Sequence, residues 1–130
     1  MKLFSILTYT LGFAPALTFA NVNFLTIVKA LPGKEDAADK FLASTIASFH
    51  EIRPVGQTAL FGIKSFDNKF LVLEQYTSDE AALDWTYNAT HVAACKPMAG
   101  LLDTSTVSVQ SNASPETIQK FIQFLRPSSS

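Results

Sequence analysis

The sequence predicts an α+β domain: a ferredoxin-like βαββαβ sandwich with an extra C-terminal helix. Three observations carry that prediction. Four short runs rich in β-branched, apolar and aromatic residues read as strands: "NFLTIVKA", "QTALFGIKSF", "KFLVLEQYT" and "STVSVQS". Between the first and second runs, and again between the third and fourth, the apolar spacing changes to three and four residues, the period of a helix. The second and third runs are separated only by the polar dipeptide Asp67-Asn68, which reads as a hairpin turn.

Residues 1–20, "MKLFSILTYTLGFAPALTFA", have the three-part layout of a secretory signal peptide. Lys2 precedes an apolar run from Leu3 to Ala14, and Thr18 and Ala20 supply small residues at the −3 and −1 positions. The run is shorter than the ~20 residues that span a bilayer. The expected organisation is therefore a signal peptide at 1–20, one domain over 21–112, and a helix with a frayed tail over 113–130. The expected location is the secretory pathway or outside the cell.

The first strand, Asn23 to Ala30, is broken by Pro32 and Gly33. From Lys34 onward Ala38, Phe41, Leu42, Thr45, Ile46 and Phe49 build one apolar helical stripe, with Glu35 and Asp36 in the first turn. Pro54 ends that helix, because the residue before a proline avoids the helical region. "TSDE", Thr77 to Glu80, has capping-box spacing and opens a second helix, which Pro97 stops or kinks near Cys95. Ser114 and Pro115 fit the N-cap and first helical positions of a last helix. On that helix Ile118, Phe121, Ile122 and Leu125 form the apolar stripe. Leu25, Ile27, Leu71 and Leu73 place apolar residues on both faces of the strands, so a second copy of the chain is expected to cover one face.

With a formal net charge of −1, the chain has no electrostatic footprint for nucleic acid or an anionic membrane. Its single cysteine, Cys95, has no partner for an internal disulfide, and free cysteine commonly packs as a small core residue. No glycine-rich phosphate motif and no clustered metal ligands occur, so no cofactor is expected.

"FLTIVKALPGKEDAADKFL" and "RPVGQTALFGIKSFDNKFLVLEQYTSDEAALDWTYNATHVAACKPMAGLL" resemble the antibiotic biosynthesis monooxygenase family, over Phe24 to about Val109. The resemblance rests on four features together. They are "PGK" after the first strand, a glycine opening the second strand, the "FLVLEQYTSDEAAL" strand-to-helix passage, and His91 followed by an apolar helix end. It implies a dimeric α+β barrel in which two ferredoxin-like sheets pack face to face. It also implies oxygenation of an aromatic, polyketide- or quinol-like molecule without metal or flavin. A non-catalytic small-molecule-binding protein of the same fold and a haem-degrading monooxygenase are the alternatives. Five residues before His91, where many members carry a histidine, this chain has Thr86.

The stretch "DWTYNATHVAACKP" concentrates the candidate chemistry. On an unbroken helix Leu83, Tyr87 and His91 share one stripe, four residues apart. Cofactor-free oxygenation needs a base, a donor to the developing oxyanion and an apolar cavity. His91 is the candidate base, because its ordinary pKa lies near neutrality, and Tyr87 the candidate donor. Trp85, Glu74 and Tyr76 are candidates for contact with substrate. Glu74 is also a possible second acid or base, an edge-facing or Arg53-paired carboxylate being its plainer role. Trp85 and His91, six residues apart, would lie about 120° apart on a continuous helix, which argues against a flat haem-binding face. Asn88-Ala89-Thr90 and Asn112-Ala113-Ser114 are glycosylation sequons, the second followed by Pro115.

Overall fold

The computed structural model describes residues 21–127. The expected signal peptide, with its cleavage site after Ala20, lies outside the described residues. Four strands form one antiparallel sheet: β1 (Val22–Ala30), β2 (Gln57–Lys64), β3 (Lys69–Tyr76) and β4 (Leu102–Ser111), in the order β2-β3-β1-β4. Helix α1 (Glu35–Ile52) connects β1 to β2. Helices α2 (Asp79–Thr86) and α3 (Ala89–Cys95), with a 3-10 turn at Lys96–Gly100, connect β3 to β4. Helix α4 (Pro115–Leu125) follows β4. This is the ferredoxin-like α+β arrangement that the sequence predicts, with the terminal helix added.

Alternation along β1 separates two faces. Val22, Phe24, Thr26, Val28 and Ala30 are buried beneath the helices, while Asn23, Leu25 and Ile27 point to the other side. Phe24 is wholly buried; it meets the edge of Tyr76 (centroids 5.9 Å apart) and stacks on Phe121 of α4 (4.3 Å). Helix α4 therefore belongs to the same core as the sheet. Its N-cap is Ser114, whose hydroxyl accepts from the Thr117 N–H. At its other end Arg126 donates to the carbonyls of Thr104, Ser105 and Val107. Those carbonyls lie in an irregular part of β4, between the residues that pair with Lys29 and with Ile27. The fourth strand thus begins at Leu102, three residues before the regular alternation in "STVSVQS".

The core is split. One cluster gathers Val22, Phe24, Tyr76, Ala82 and Phe121; the other gathers Val28, Ala30, Ala38, Phe70 and Val107. Thr26 stands on β1 between them. Helix α1 contributes only Ala38 as a fully buried residue, so most of its apolar stripe borders this seam without filling it. Gly62 lets α1 approach β2: a Cβ there would sit 2.8 Å from a methyl of Leu42.

The second helix is not continuous. Its N-cap is Ser78, whose hydroxyl accepts from the Ala81 N–H, so the start falls one residue after the Thr77 expected from "TSDE". The chain leaves the helix at Tyr87, and Asn88 starts a new one, its side chain accepting from the Thr90 N–H at 2.9 Å. Asparagine is among the strongest N-cap residues, and its extended backbone (φ −63°, ψ 136°) resets the helix axis.

The second face of the sheet carries Leu25, Ile27, Leu71 and Leu73 beside Phe61 and Ile63, which are 60% and 63% exposed. Helix α4 packs on the opposite side and does not cover this surface. Among the described residues no helix is long and apolar enough to cross a membrane.

Candidate active site

The seam between the two core clusters opens into a cavity of about 190 Å³. Its floor is the helix-facing side of the sheet, with Thr26, Val72, Leu60 and Glu74; its walls are α1 on one side and α3 and α4 on the other. Residues at its rim that are exposed, including Ser48, Ile52, Thr90 and Ala94, place the mouth between α1 and α3. The lining is overwhelmingly apolar, and Glu74 is its one carboxylate.

Glu74 lies on the central strand β3, opposite Phe24 of β1 and Leu60 of β2. One carboxylate oxygen accepts from the Tyr76 hydroxyl at 2.8 Å and more distantly from the Gln57 amide at 3.4 Å. Gln57 also donates to the Tyr76 oxygen at 3.3 Å. The second oxygen of Glu74 has no partner among the described residues. What surface Glu74 keeps faces the cavity, and burial pushes its carboxyl up to about 7, against a smaller lowering by the Tyr76 hydrogen bond. Burial, with the nearby Glu74 charge, pushes the Tyr76 hydroxyl far above its ordinary range, so it is a permanent donor. The pairing of Glu74 with Arg53 does not occur. Arg53 takes a left-handed backbone conformation at the end of α1 (φ 49°) and turns its side chain back to the His50 carbonyl.

His91 forms the facing wall. Its Nδ1 lies 2.9 Å from the Thr86 carbonyl, which can only accept, so Nδ1 carries the proton and Nε2 the lone pair. Cys95 Sγ lies 3.4 Å from Nε2. Burial lowers the His91 pKa below its ordinary 6.5, against an opposing effect of the Thr86 hydrogen bond. The ring is neutral at pH 7. Burial, then the Glu74 charge, pushes the Cys95 thiol up to about 12, so it is an S–H donor and not a nucleophile. The His91 ring lies between Trp85 (5.1 Å) and Phe124 of α4 (5.3 Å, stacked at 26°).

The break at Tyr87–Asn88 rearranges what a continuous helix would present. Trp85 and His91 meet on one wall, although a regular helix would hold them about 120° apart. Tyr87, expected beside His91, leaves the stripe. Its hydroxyl donates to the Lys120 carbonyl at 2.6 Å, its ring meets the edge of Phe124, and it does not line the cavity. Tyr76 reaches the cavity only through its hydrogen bond to Glu74. Asn88 and Asn112 are both exposed. Asn88 acts as a helix cap, and the Asn112 amide already donates to the Asn21 carbonyl at 2.9 Å. Haem does not fit the residues present: both His91 nitrogens are engaged, and the cavity is far smaller than a tetrapyrrole.

Two contributions escaped the sequence reading. Thr26, hidden in an apolar strand, is 5% exposed and lines the floor, and its hydroxyl is buried without a hydrogen-bond partner. Phe124 comes from the terminal helix, outside the span of the family resemblance.

No protein-family model matches the chain. No curated protein matches it in sequence. Solved structures do share its fold. A protein of unknown function from Nitrosomonas europaea superposes with a TM-score of 0.60 at 22% identity, covering 73% of this chain and 89% of that one. A protein from the same organism, provisionally named as an antibiotic biosynthesis monooxygenase, gives 0.62 at 12% identity, covering 76% and 94%. A likewise provisionally named one from Caulobacter crescentus gives 0.61 at 16% identity, covering 73% and 90%. The chain thus has the ferredoxin-like α+β fold found in proteins named for that family. At these identities the similarity is one of fold.

Proposed function

We propose that the protein is a cofactor-independent oxygenase of an electron-rich phenolic small molecule, with the cavity as its active site. The observation that carries this reading is the environment of Glu74. It is the one carboxylate in an apolar cavity, held at one oxygen by Tyr76 and Gln57, with its pKa raised to about 7. A general base works best when its pKa lies near the working pH. The fold shared with proteins provisionally named as antibiotic biosynthesis monooxygenases supports the same reading.

The reaction assigned here balances without any resident cofactor. Glu74 takes the phenolic proton, and the phenolate passes one electron to O2. The resulting radicals combine at a ring carbon that bears hydrogen, and the peroxide formed takes back the proton from Glu74, giving a hydroperoxide. Loss of water leaves a carbonyl, so a phenol plus O2 becomes a quinone plus water. His91 Nε2, which accepts the Cys95 S–H in the resting protein, gives up that hydrogen bond to take the ring-carbon proton lost in that last step and pass it to the departing hydroxide. The apolar walls exclude bulk water from the radical pair.

A second reading, a non-catalytic carrier, is favoured by one feature: His91 on the cavity wall is already satisfied by Thr86 and Cys95. Oxygen consumption separates the two readings, since a carrier binds phenols without consuming O2. Two further elements complete the proposal. The exposed apolar sheet face is covered by a second copy of the chain. The mature protein begins near Asn21 after secretion, which N-terminal sequencing of secreted material tests.

A further inference from the structure

Thr26 is unusual within its own strand. Its neighbours on the same face are Phe24 and Val28, and it sits between the two apolar clusters where a valine would have nearly the same shape. A buried hydroxyl without a partner destabilises a fold, whereas an apolar group there does not. The Thr26 hydroxyl is such a group, and it lies on the cavity floor. On the adjacent strand Thr26 is opposite Val72, and Glu74 is opposite Phe24. Thr26 and Glu74 are thus diagonal neighbours on one sheet face, about 7–8 Å apart at the backbone. Each has an oxygen without a hydrogen-bond partner among the described residues, and both residues line the cavity. One oxygen of a ligand seated between their tips can satisfy both.

The volume limits what carries that oxygen. An apolar cavity of about 150 Å³ in another protein accepts benzene. At about 190 Å³ this cavity takes one substituted ring, and a three-ring molecule would project through the mouth. Trp85, His91 and Phe124 supply the aromatic wall against which such a ring packs.

We infer that Thr26 and Glu74 together form a hydroxyl-binding floor that selects a single-ring phenol. This deepens the oxygenase reading and rests on it for the cavity being the substrate site. The phenol O–H donates to the free oxygen of Glu74, and the Thr26 hydroxyl donates to the phenol oxygen. When Glu74 takes the proton, Thr26 holds the phenolate, the role that Tyr87 cannot fill from outside the cavity.

The test is calorimetric titration under anaerobic conditions, comparing p-cresol with p-xylene, which differ by one hydroxyl in place of a methyl group. The wild-type protein binds p-cresol at least about tenfold more tightly. Thr26→Val closes most of that gap, keeps its affinity for p-xylene, and melts no lower than wild type. Thr26→Ser retains the gap. Equal affinity for the two ligands in wild type, or a gap that Thr26→Val leaves intact, overturns the assignment. A merely structural Thr26 would show itself as parallel losses for both ligands with a lower melting temperature, which also overturns it. Oxygen uptake is read separately. Hydroxyl selectivity through Thr26 without O2 consumption by any phenol retains the floor and removes the oxygenase. Turnover unaffected by Thr26→Val does the reverse.

Discussion

Replacing Glu74 with glutamine tests the electrostatic core of the site. Glutamine keeps an acceptor for the Tyr76 hydroxyl and the Gln57 amide but cannot ionise. Wild-type Glu74 has its carboxyl raised from 4.5 to about 7, mainly by burial. Below pH 4.5 the group is protonated in folded and unfolded chains alike, and it has no effect on stability. Between 4.5 and about 7 the unfolded chain loses the proton while the folded chain keeps it, so wild-type stability falls as pH rises. Above about 7 the whole penalty is present, about 3 kcal/mol. Glu74→Gln should therefore match wild type near pH 4 and exceed it by up to about 3 kcal/mol at pH 8. In a domain of this size that corresponds to a melting temperature higher by on the order of 10–20 °C. His91 acts in the opposite sense, because its lowered pKa makes acidification below 6.5 costly to the folded state. That effect is common to both proteins and cancels in their difference. The assay is urea or thermal unfolding followed by Trp85 fluorescence from pH 4 to pH 8. A stability difference that does not change with pH, or a variant weaker than wild type at pH 8, would refute a buried, raised carboxyl.

Three further outcomes follow from particular contacts. Tyr87→Phe removes a hydrogen bond to the Lys120 carbonyl and leaves the cavity lining intact; it should cost about 1 kcal/mol in unfolding experiments and leave turnover within about twofold. Gly56→Ala should destabilise the fold by roughly 2–4 kcal/mol in denaturant titration, since Gly56 has φ 82° and its added Cβ would lie 2.5 Å from that of Ala81. Ile63→Lys, on the exposed apolar sheet face, should convert a dimer to a monomer in light scattering without loss of secondary structure by circular dichroism.

The fold was legible because each strand and helix carries its own period and its own punctuation. Pro115 after Ser114, Pro54 after the first apolar stripe, and Asp67-Asn68 between two β-branched runs mark boundaries that tertiary contacts do not override. The break after Tyr87 was harder to read. Asn88 stands inside a run of good apolar spacing, and its capping role depends on a side chain folding back onto Thr90, which spacing alone does not show. That one residue decides the site: it carries Tyr87 away to α4 and brings His91 beside Trp85. Glu74 stood out as a charge within an apolar strand, yet its true partners, Tyr76 two residues on and Gln57 across the sheet, follow from register and not from charge matching. Thr26 gave no signal at all, because threonine is an ordinary strand residue. Only its missing hydrogen bond sets it apart.

On the proposed reading, Glu74 is a base serving oxygen chemistry in this cavity. Oxygen uptake with a panel of electron-rich single-ring phenols, in protein stripped of metal and flavin, measures it most directly. Wild type should consume one O2 for each quinone formed, with kcat/KM rising as pH passes through about 7. Glu74→Gln, folded and at least as stable, should lose about 10²–10⁴-fold in rate. Undiminished uptake by Glu74→Gln, or no uptake by wild type with any phenol that the cavity binds, would contradict it.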